Sequence, residues 1–202
     1  ATSEAGQAHI NVSGPLAGRL LTERGHPSGA ELVLGANIMR VAEPEFAFRL
    51  GRTLGPGDGP YEVDTVMGAV DALLPSIEVP DSRFVDFSAV GERQLIADDG
   101  CAHEYVVGAA GPDTWRDVDL AEHAVSISAG PGREHAGKGG NALGDPRVAL
   151  TWLVNEVTAL GGSVEAGQIV MTGACAVPLP VEPGDAVVAD FGPLGTVTAS
   201  FA

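Results

Sequence analysis

The 202 residues carry a net charge of −16, with 27 acidic side chains against 11 basic ones and a single lysine, Lys138. With no basic run to follow a phosphate backbone, nucleic acid is excluded as a partner, while the acidity suits solubility and cation binding alike. Hydrophobic residues make up 45%, too many for a disordered chain and enough for a sizeable core, yet no stretch approaches the ~18 apolar residues of a membrane span. Cys101 and Cys175 are too few for a disulfide framework or a zinc site, and no signal-peptide pattern is present, so a cytoplasmic protein is expected.

Taken in order, residues 1–35 read as short strands and loops, broken by Gly14-Pro15, Gly25, Pro27 and Gly29. Residues 38–50 form a strand. At period two, Phe46, Phe48 and Leu50 fall on one side, and Glu43 and Glu45 fall together on the other. Carboxylates at i and i+2 of a strand sit roughly 7 Å apart along the chain and repel unless a cation or a shared proton lies between them. An Mg²⁺ or Mn²⁺ ion bound by oxygens at roughly 2.1 Å would draw their tips together. A solvated acidic face on an amphipathic strand is the other reading. Pro44, lacking an N–H, suits an edge or bulged strand.

After a glycine- and proline-rich loop at 55–60, the apolar spacing of Val63, Val66, Met67, Val70 and Leu74 predicts a helix over 61–74, ended by Pro75. Ser76–Val79 reads as a buried strand carrying one charge, Glu78, costly to bury unless something positive meets it. Residues 84–94 are irregular, a strand begins at Gln94–Ile96, Ala97–Gly100 turns, and strands follow at 104–107 and 123–128. The glycine-rich run 129–144 lacks both the Walker spacing and a strand–GxGxxG–helix arrangement, so a hairpin turn plus a loop beside the mouth of a site is expected. Asp145-Pro146 starts the second main helix, stopped by Gly161-Gly162. Strands at 168–172, 186–191 and 196–201 complete a β-rich α+β domain, the last two joined by Gly192–Gly195.

With Glu78 added, two glutamates on one strand face meet a third on a strand that can lie alongside. Such a set suits a hard dication that keeps positions open for substrate. The ordered features are E-x-E-F-A-F (Glu43–Phe48), I-E-V-x-D-S-R-F (Ile77–Phe84), Ile96-Ala-Asp98 and Leu143-Gly-Asp-Pro146. Met171-Thr-Gly173, Val181-Glu-Pro-Gly-Asp185 and Phe191-Gly-Pro-Leu-Gly195 follow them. In that order they resemble the fumarylacetoacetate hydrolase superfamily, and more closely its 2-keto-4-pentenoate hydratase and 4-oxalocrotonate decarboxylase branch. The resemblance implies a single catalytic-type domain over 1–202, with 1–37 as its N-terminal part, folded as a mixed β-roll with two main helices. It also implies Glu43, Glu45 and Glu78 as ligands of Mg²⁺ or Mn²⁺, a small 2-oxo or 2-hydroxydienoic acid as substrate, and a homo-oligomer with no membrane partner.

The family's Gly-x-Lys-x-Gly segment, which belongs ahead of Ala1, is not in this sequence. Pro15-Leu16-Ala17-Gly18 stands where the branch often has Pro-Asp-Phe-Gly, and Ala97-Asp98-Asp99 stands for Ala-Asp-Asn. His103 and Asp99 are the candidate acid–base groups. Arg83 is a candidate for pairing with a substrate carboxylate or, equally, with neighbouring Asp81. Lys138 is a candidate for lining the pocket or for a solvated position, and Thr172 for meeting substrate or for a plain turn. The expected reaction is that of a hydratase or decarboxylase. The alternatives are C–C hydrolysis of an acylpyruvate, for which the sequence reveals no His-Glu pair, and a non-catalytic homologue that binds a small acid.

Overall fold

The computed structural model describes residues 2–202. In chain order the elements are α1 (Glu4–His9), β1 (Gly25–Pro27), β2 (Ala30–Leu32), β3 (Val41–Leu50), α2 (Val63–Met67), β4 (Val70–Val79), α3 (Glu92–Ala97) and β5 (Glu104–Val107). There follow β6 (Ala124–Ser128), β7 (Glu134–Lys138), α4 (Pro146–Ala159), β8 (Ile169–Ala174), β9 (Leu179–Pro180), β10 (Ala186–Asp190) and β11 (Thr196–Phe201). One sheet runs β1-β5-β4-β3-β8, with β9 pairing the start of β3, and the other runs β2-β11-β10-β6-β7. The β1–β5 and β2–β11 pairs are parallel and the rest antiparallel, so the fold is α+β with two mixed sheets. Among the described residues no helix is long and apolar enough to cross a membrane.

The alternation of β3 builds the core. Phe46, Phe48 and Leu50 are fully buried between the sheets. The Phe46 ring meets Phe191 edge-on at 5.0 Å between centroids and His123 at 5.9 Å, while Phe48 lies 5.8 Å from Trp115. Such aromatic contacts stabilise beyond the area they bury. The opposite face of β3 is thereby turned away from the core, and it carries the two glutamates.

The helix expected over 61–74 is only five residues long; Val70–Leu74 belongs to β4. Gly68 closes α2 with its N–H on the Asp64 carbonyl, and from Val70 the chain pairs along β3, with Val70 opposite Leu50, Leu73 opposite Phe48 and Leu74 opposite Ala47. Both faces of β4 are covered, so period two is lost and the apolar run imitates a helix. Pro75 lies inside this strand rather than before it. Its carbonyl accepts the Gly108 N–H at 2.8 Å just beyond the last β4–β5 pair, Ser76 with Val107, where no further ladder bond needs its missing N–H.

Pro44 follows the same logic within a central strand. It falls where β9, paired with Val41 and Ala42, gives way to β8, paired from Glu45, and a register shift follows at once. The strand expected at 94–96 is instead α3, a six-residue helix in which only Leu95 is buried, so no apolar period marks it. Residues 1–35 hold α1 as well as β1 and β2. α1 is capped by Ser3, whose hydroxyl accepts the Gly6 N–H at 3.0 Å. The second main helix is as expected: the Asp145 side chain caps it on the Arg147 N–H at 2.7 Å, Pro146 opens it, and Gly161 follows at φ 83°.

The glycine-rich run makes the β6–β7 hairpin and the segment after it. Gly137 passes so close to the Cys175 carbonyl that a Cβ would approach it to 2.1 Å, and one at Gly139 would meet the Leu120 carbonyl at 2.0 Å. These glycines serve backbone packing.

Replacing Phe46 by alanine removes the ring on which both sheets close. A loss of about 3–5 kcal/mol is expected, read as a lowered midpoint in urea unfolding with the slope unchanged. A loss below 1 kcal/mol would contradict this account of the core.

Candidate metal centre

In the β3–β4 ladder Glu43 stands directly opposite Glu78, and Glu45 stands opposite Ser76. Directly opposed residues share a face, so the register alone brings Glu43, Glu45 and Glu78 to one side. One carboxylate oxygen from each lies within 4.8 Å of the others. The Ser76 hydroxyl donates to the Glu45 carbonyl at 2.8 Å and fixes the crossing point.

β8 completes the arrangement. Between Glu45 and Ala47 of β3 its register slips, and the residues in the bulge are Thr172 and Gly173. Gly173 adopts φ 109°, and its N–H donates to Glu45 Oε2 at 2.7 Å. A side chain there would collide with Thr2, whose Oγ1 would stand 1.7 Å from a Cβ. That Thr2 hydroxyl is buried and has no hydrogen-bond partner among the described residues.

Three carboxylates this close are a liability as anions. Burial, then the charge of Glu78, raises Glu43 to about 8. Burial followed by the charges of Glu78 and Glu43 holds Glu45 well above the usual carboxylate range, against the opposing pull of the Gly173 N–H. Glu78 is raised chiefly by burial, with Asp99 adding to the upward push. No lysine or arginine among the described residues pairs with any of the three. Hard oxygen donors, mutual repulsion and the want of a basic side chain together fit a divalent cation of the Mg²⁺, Mn²⁺ or Ca²⁺ kind.

The triad faces a cleft of about 1890 Å³, walled by α1, residues 16–20, the Asp99 turn, Tyr105, residues 140–144, part of α4 and β8. Pockets for small ligands usually occupy ~300–1,000 Å³, so shape alone does not locate a small acid here. The carboxylates do.

The remaining sequence candidates are dispersed. Asp99 faces the cleft; its Oδ1 accepts the Arg19 N–H at 2.7 Å. Thr172 reaches the cleft wall, but its hydroxyl is spent on the Phe46 carbonyl at 2.8 Å. Arg83 does not line the cleft. Its guanidinium bonds the carboxylate and carbonyl of Asp98 at 2.9 and 3.0 Å, and Asp98, rather than the adjacent Asp81, is its ion-pair partner. Lys138 is bonded to Glu122 at 2.8 Å on the surface, and His103, outside the cleft lining, keeps a buried Nδ1 without a partner among the described residues. Thr2 and Tyr105 escaped the sequence reading. Tyr105 stands opposite Glu78 on β5, a placement that only the register reveals.

The chain is 31% identical over 201 residues to 2-keto-4-pentenoate hydratase 1 of Dechloromonas aromatica, covering 100% of this chain and 75% of that protein. The chain belongs to the 2-keto-4-pentenoate hydratase/4-oxalocrotonate decarboxylase branch of the fumarylacetoacetate hydrolase superfamily. Its structure is also similar to that of 4-oxalocrotonate decarboxylase from Pseudomonas putida G7 complexed with magnesium and adipate. The TM-score is 0.87 at 27% identity, over 100% of this chain and 75% of that one. Fumarylpyruvate hydrolase from Pseudomonas aeruginosa shares the fold alone, with a TM-score of 0.64 at 12% identity, over 88% of this chain and 73% of that one. No protein-family model matches the chain. Solved structures of that decarboxylase are complexed with magnesium or with calcium, so a divalent ion is indicated for this centre.

The raised pKa of Glu43 links stability to pH. Its folded value, about 8, lies above the ordinary 4.5, so the folded metal-free state binds more protons between those values. Stability is then fully present below 4.5 and lost as pH rises through 8. Melting of the chelator-treated protein from pH 5 to 8.5 should show a falling Tm, and saturating Mg²⁺ should remove most of that fall. A decline unaffected by Mg²⁺ would contradict the assignment.

Proposed function

We propose that the chain is a divalent-metal-dependent lyase, of hydratase or decarboxylase type, acting on a small 2-oxo or 2-hydroxydienoic acid. The observation that carries this reading is the convergence of Glu43, Glu45 and Glu78 on one cleft-facing patch in a member of this branch. Mg²⁺ or Mn²⁺ is the proposed ion, since small hard cations take few carboxylates and keep positions open for substrate oxygens. When bound, such an ion serves as Lewis acid and template for the C1 carboxylate and C2 oxygen of the substrate.

The chain's own groups supply the rest. Gly173 orients Glu45 through its N–H. The Thr2 hydroxyl, buried beside Gly173 and without a partner among the described residues, is placed to donate to a substrate oxygen. Asp99 is the proposed carrier of a proton to or from the diene carbons, because it faces the cleft while His103 does not. Arg83, Lys138 and Thr172, engaged elsewhere, act as supports of the fold.

The structure does contain a histidine–glutamate pair, His26 with Glu104 at 2.5 Å. It does not favour acylpyruvate hydrolysis. Tyr105 shares the face of Glu78, so Glu104 beside it in β5 points to the other face, away from the triad.

Glu43→Gln should reduce Mg²⁺ binding by at least tenfold and abolish turnover while leaving the circular dichroism spectrum unchanged. The assay incubates protein and Mg²⁺ with 2-hydroxypenta-2,4-dienoate or 4-oxalocrotonate and follows loss of dienol absorbance. Full activity in the variant would sink the proposal.

A further inference from the structure

The cleft is poor in positive charge. Glu4, Glu43, Glu45, Glu78 and Asp99 face it, against two basic side chains, His9 and Arg19. His9 packs edge-on to Phe87, with ring centroids 6.1 Å apart. Arg19 is held differently. Its N–H is fixed on Asp99 Oδ1 at 2.7 Å, and Gly18 before it lies so close to the Asp99 carbonyl that a Cβ would approach to 2.1 Å. Asp99 is itself set by a left-handed run, φ 59° at Asp99, 63° at Gly100 and 66° at Cys101. Two of these three are not glycine, a conformation that persists only where the surroundings enforce it. Thus the backbone of Arg19 is pinned to the wall beside Glu78. Its guanidinium is exposed and forms no ion pair or side-chain hydrogen bond among the described residues.

We infer that Arg19 receives the second carboxylate of a dicarboxylic 2-oxo acid whose C1 end lies at the glutamate triad. The inference rests on the proposed function and narrows its substrate class. A second carboxylate in a cleft that also carries Glu4 and Asp99 is repelled unless a cation meets it, and the planar guanidinium offers two parallel N–H donors to such a group. A monocarboxylic substrate leaves Arg19 unused and gains nothing from its placement.

The test uses Mg²⁺-loaded full chain and isothermal titration with three probes: oxalate, adipate and hexanoate. Oxalate is a dianion too short to reach beyond the triad; adipate and hexanoate have equal length and differ in the distal carboxylate. The unsubstituted protein should bind adipate at least tenfold tighter than hexanoate. Arg19→Met should erase that difference while leaving oxalate and Mg²⁺ affinities within twofold, and Arg19→Lys should restore part of it. An adipate-to-hexanoate ratio unchanged by Arg19→Met overturns the inference. So does an equal loss for oxalate and adipate, which would mark a general field rather than a contact. If oxalate fails to bind the Mg²⁺-loaded protein at all, the proposed function falls instead.

Discussion

The opposition of Glu43 and Glu78 across the β3–β4 ladder is the constraint on which the site depends. Like charges directly opposed in an antiparallel pair destabilise it. At about 5 Å and an effective dielectric near 20, two unit charges repel by roughly 3 kcal/mol, and Glu45 adds a third participant. The ladder holds because its other face is the aromatic core. Phe46, Phe48, Leu73 and Ile77 are fully buried there, and none of them can leave without slipping the register. A one-residue slip would carry the glutamates into that core and the phenylalanines into the cleft. The packing that holds the sheets together therefore also holds the carboxylates together, as a set of hard oxygen donors that fits a divalent cation.

Close backbone approaches then decide the shape around the triad. Gly173 turns its N–H onto Glu45 only because β8 bulges there, and the bulge leaves room for Thr2 where a side chain would have been. Gly137 lets the β6–β7 hairpin lie on the Cys175 carbonyl, which also accepts the Lys138 N–H and the Asn141 side-chain amide. The segment that leaves β8 is thus tied down at Cys175, just beyond the Gly173 N–H that holds Glu45. Within the glycine-rich run 129–144, Gly137 and Gly139 are points where two backbones touch.

The sequence was legible where one face of an element is buried and the other wet. β3 shows its alternation, and α4 its cap and its glycine stop. β4 hid itself, since with both faces covered its apolar run had no period to distinguish strand from helix. α1 and α3 were also hidden, because six-residue helices with at most one buried side chain leave no pattern. At the site, the three glutamates were legible because a charge on a buried strand demands an explanation. Thr2, Tyr105 and Arg19 were not, because their placement follows from a bulge, a register and a left-handed turn that no local residue pattern encodes. Arg83 misled for a related reason: its partner, Asp98, is distant in sequence and completely buried, whereas Asp81 is adjacent and unpaired with it.

Register parity also sorts the chemistry. Along β5, Tyr105 and Glu104 are neighbours, yet one stands with Glu78 over the cleft and the other pairs with Arg24 and His26 on the reverse face. A histidine–glutamate pair that can activate water in isolation contributes nothing to a substrate on the other side of a sheet. Fold and family leave both lyase and hydrolase chemistry open to this superfamily. The alternation of four residues in β5 places the His26–Glu104 pair on the face away from Glu78. Over the cleft stands the carboxylate of Asp99, held by its own left-handed turn and close enough to raise Glu78.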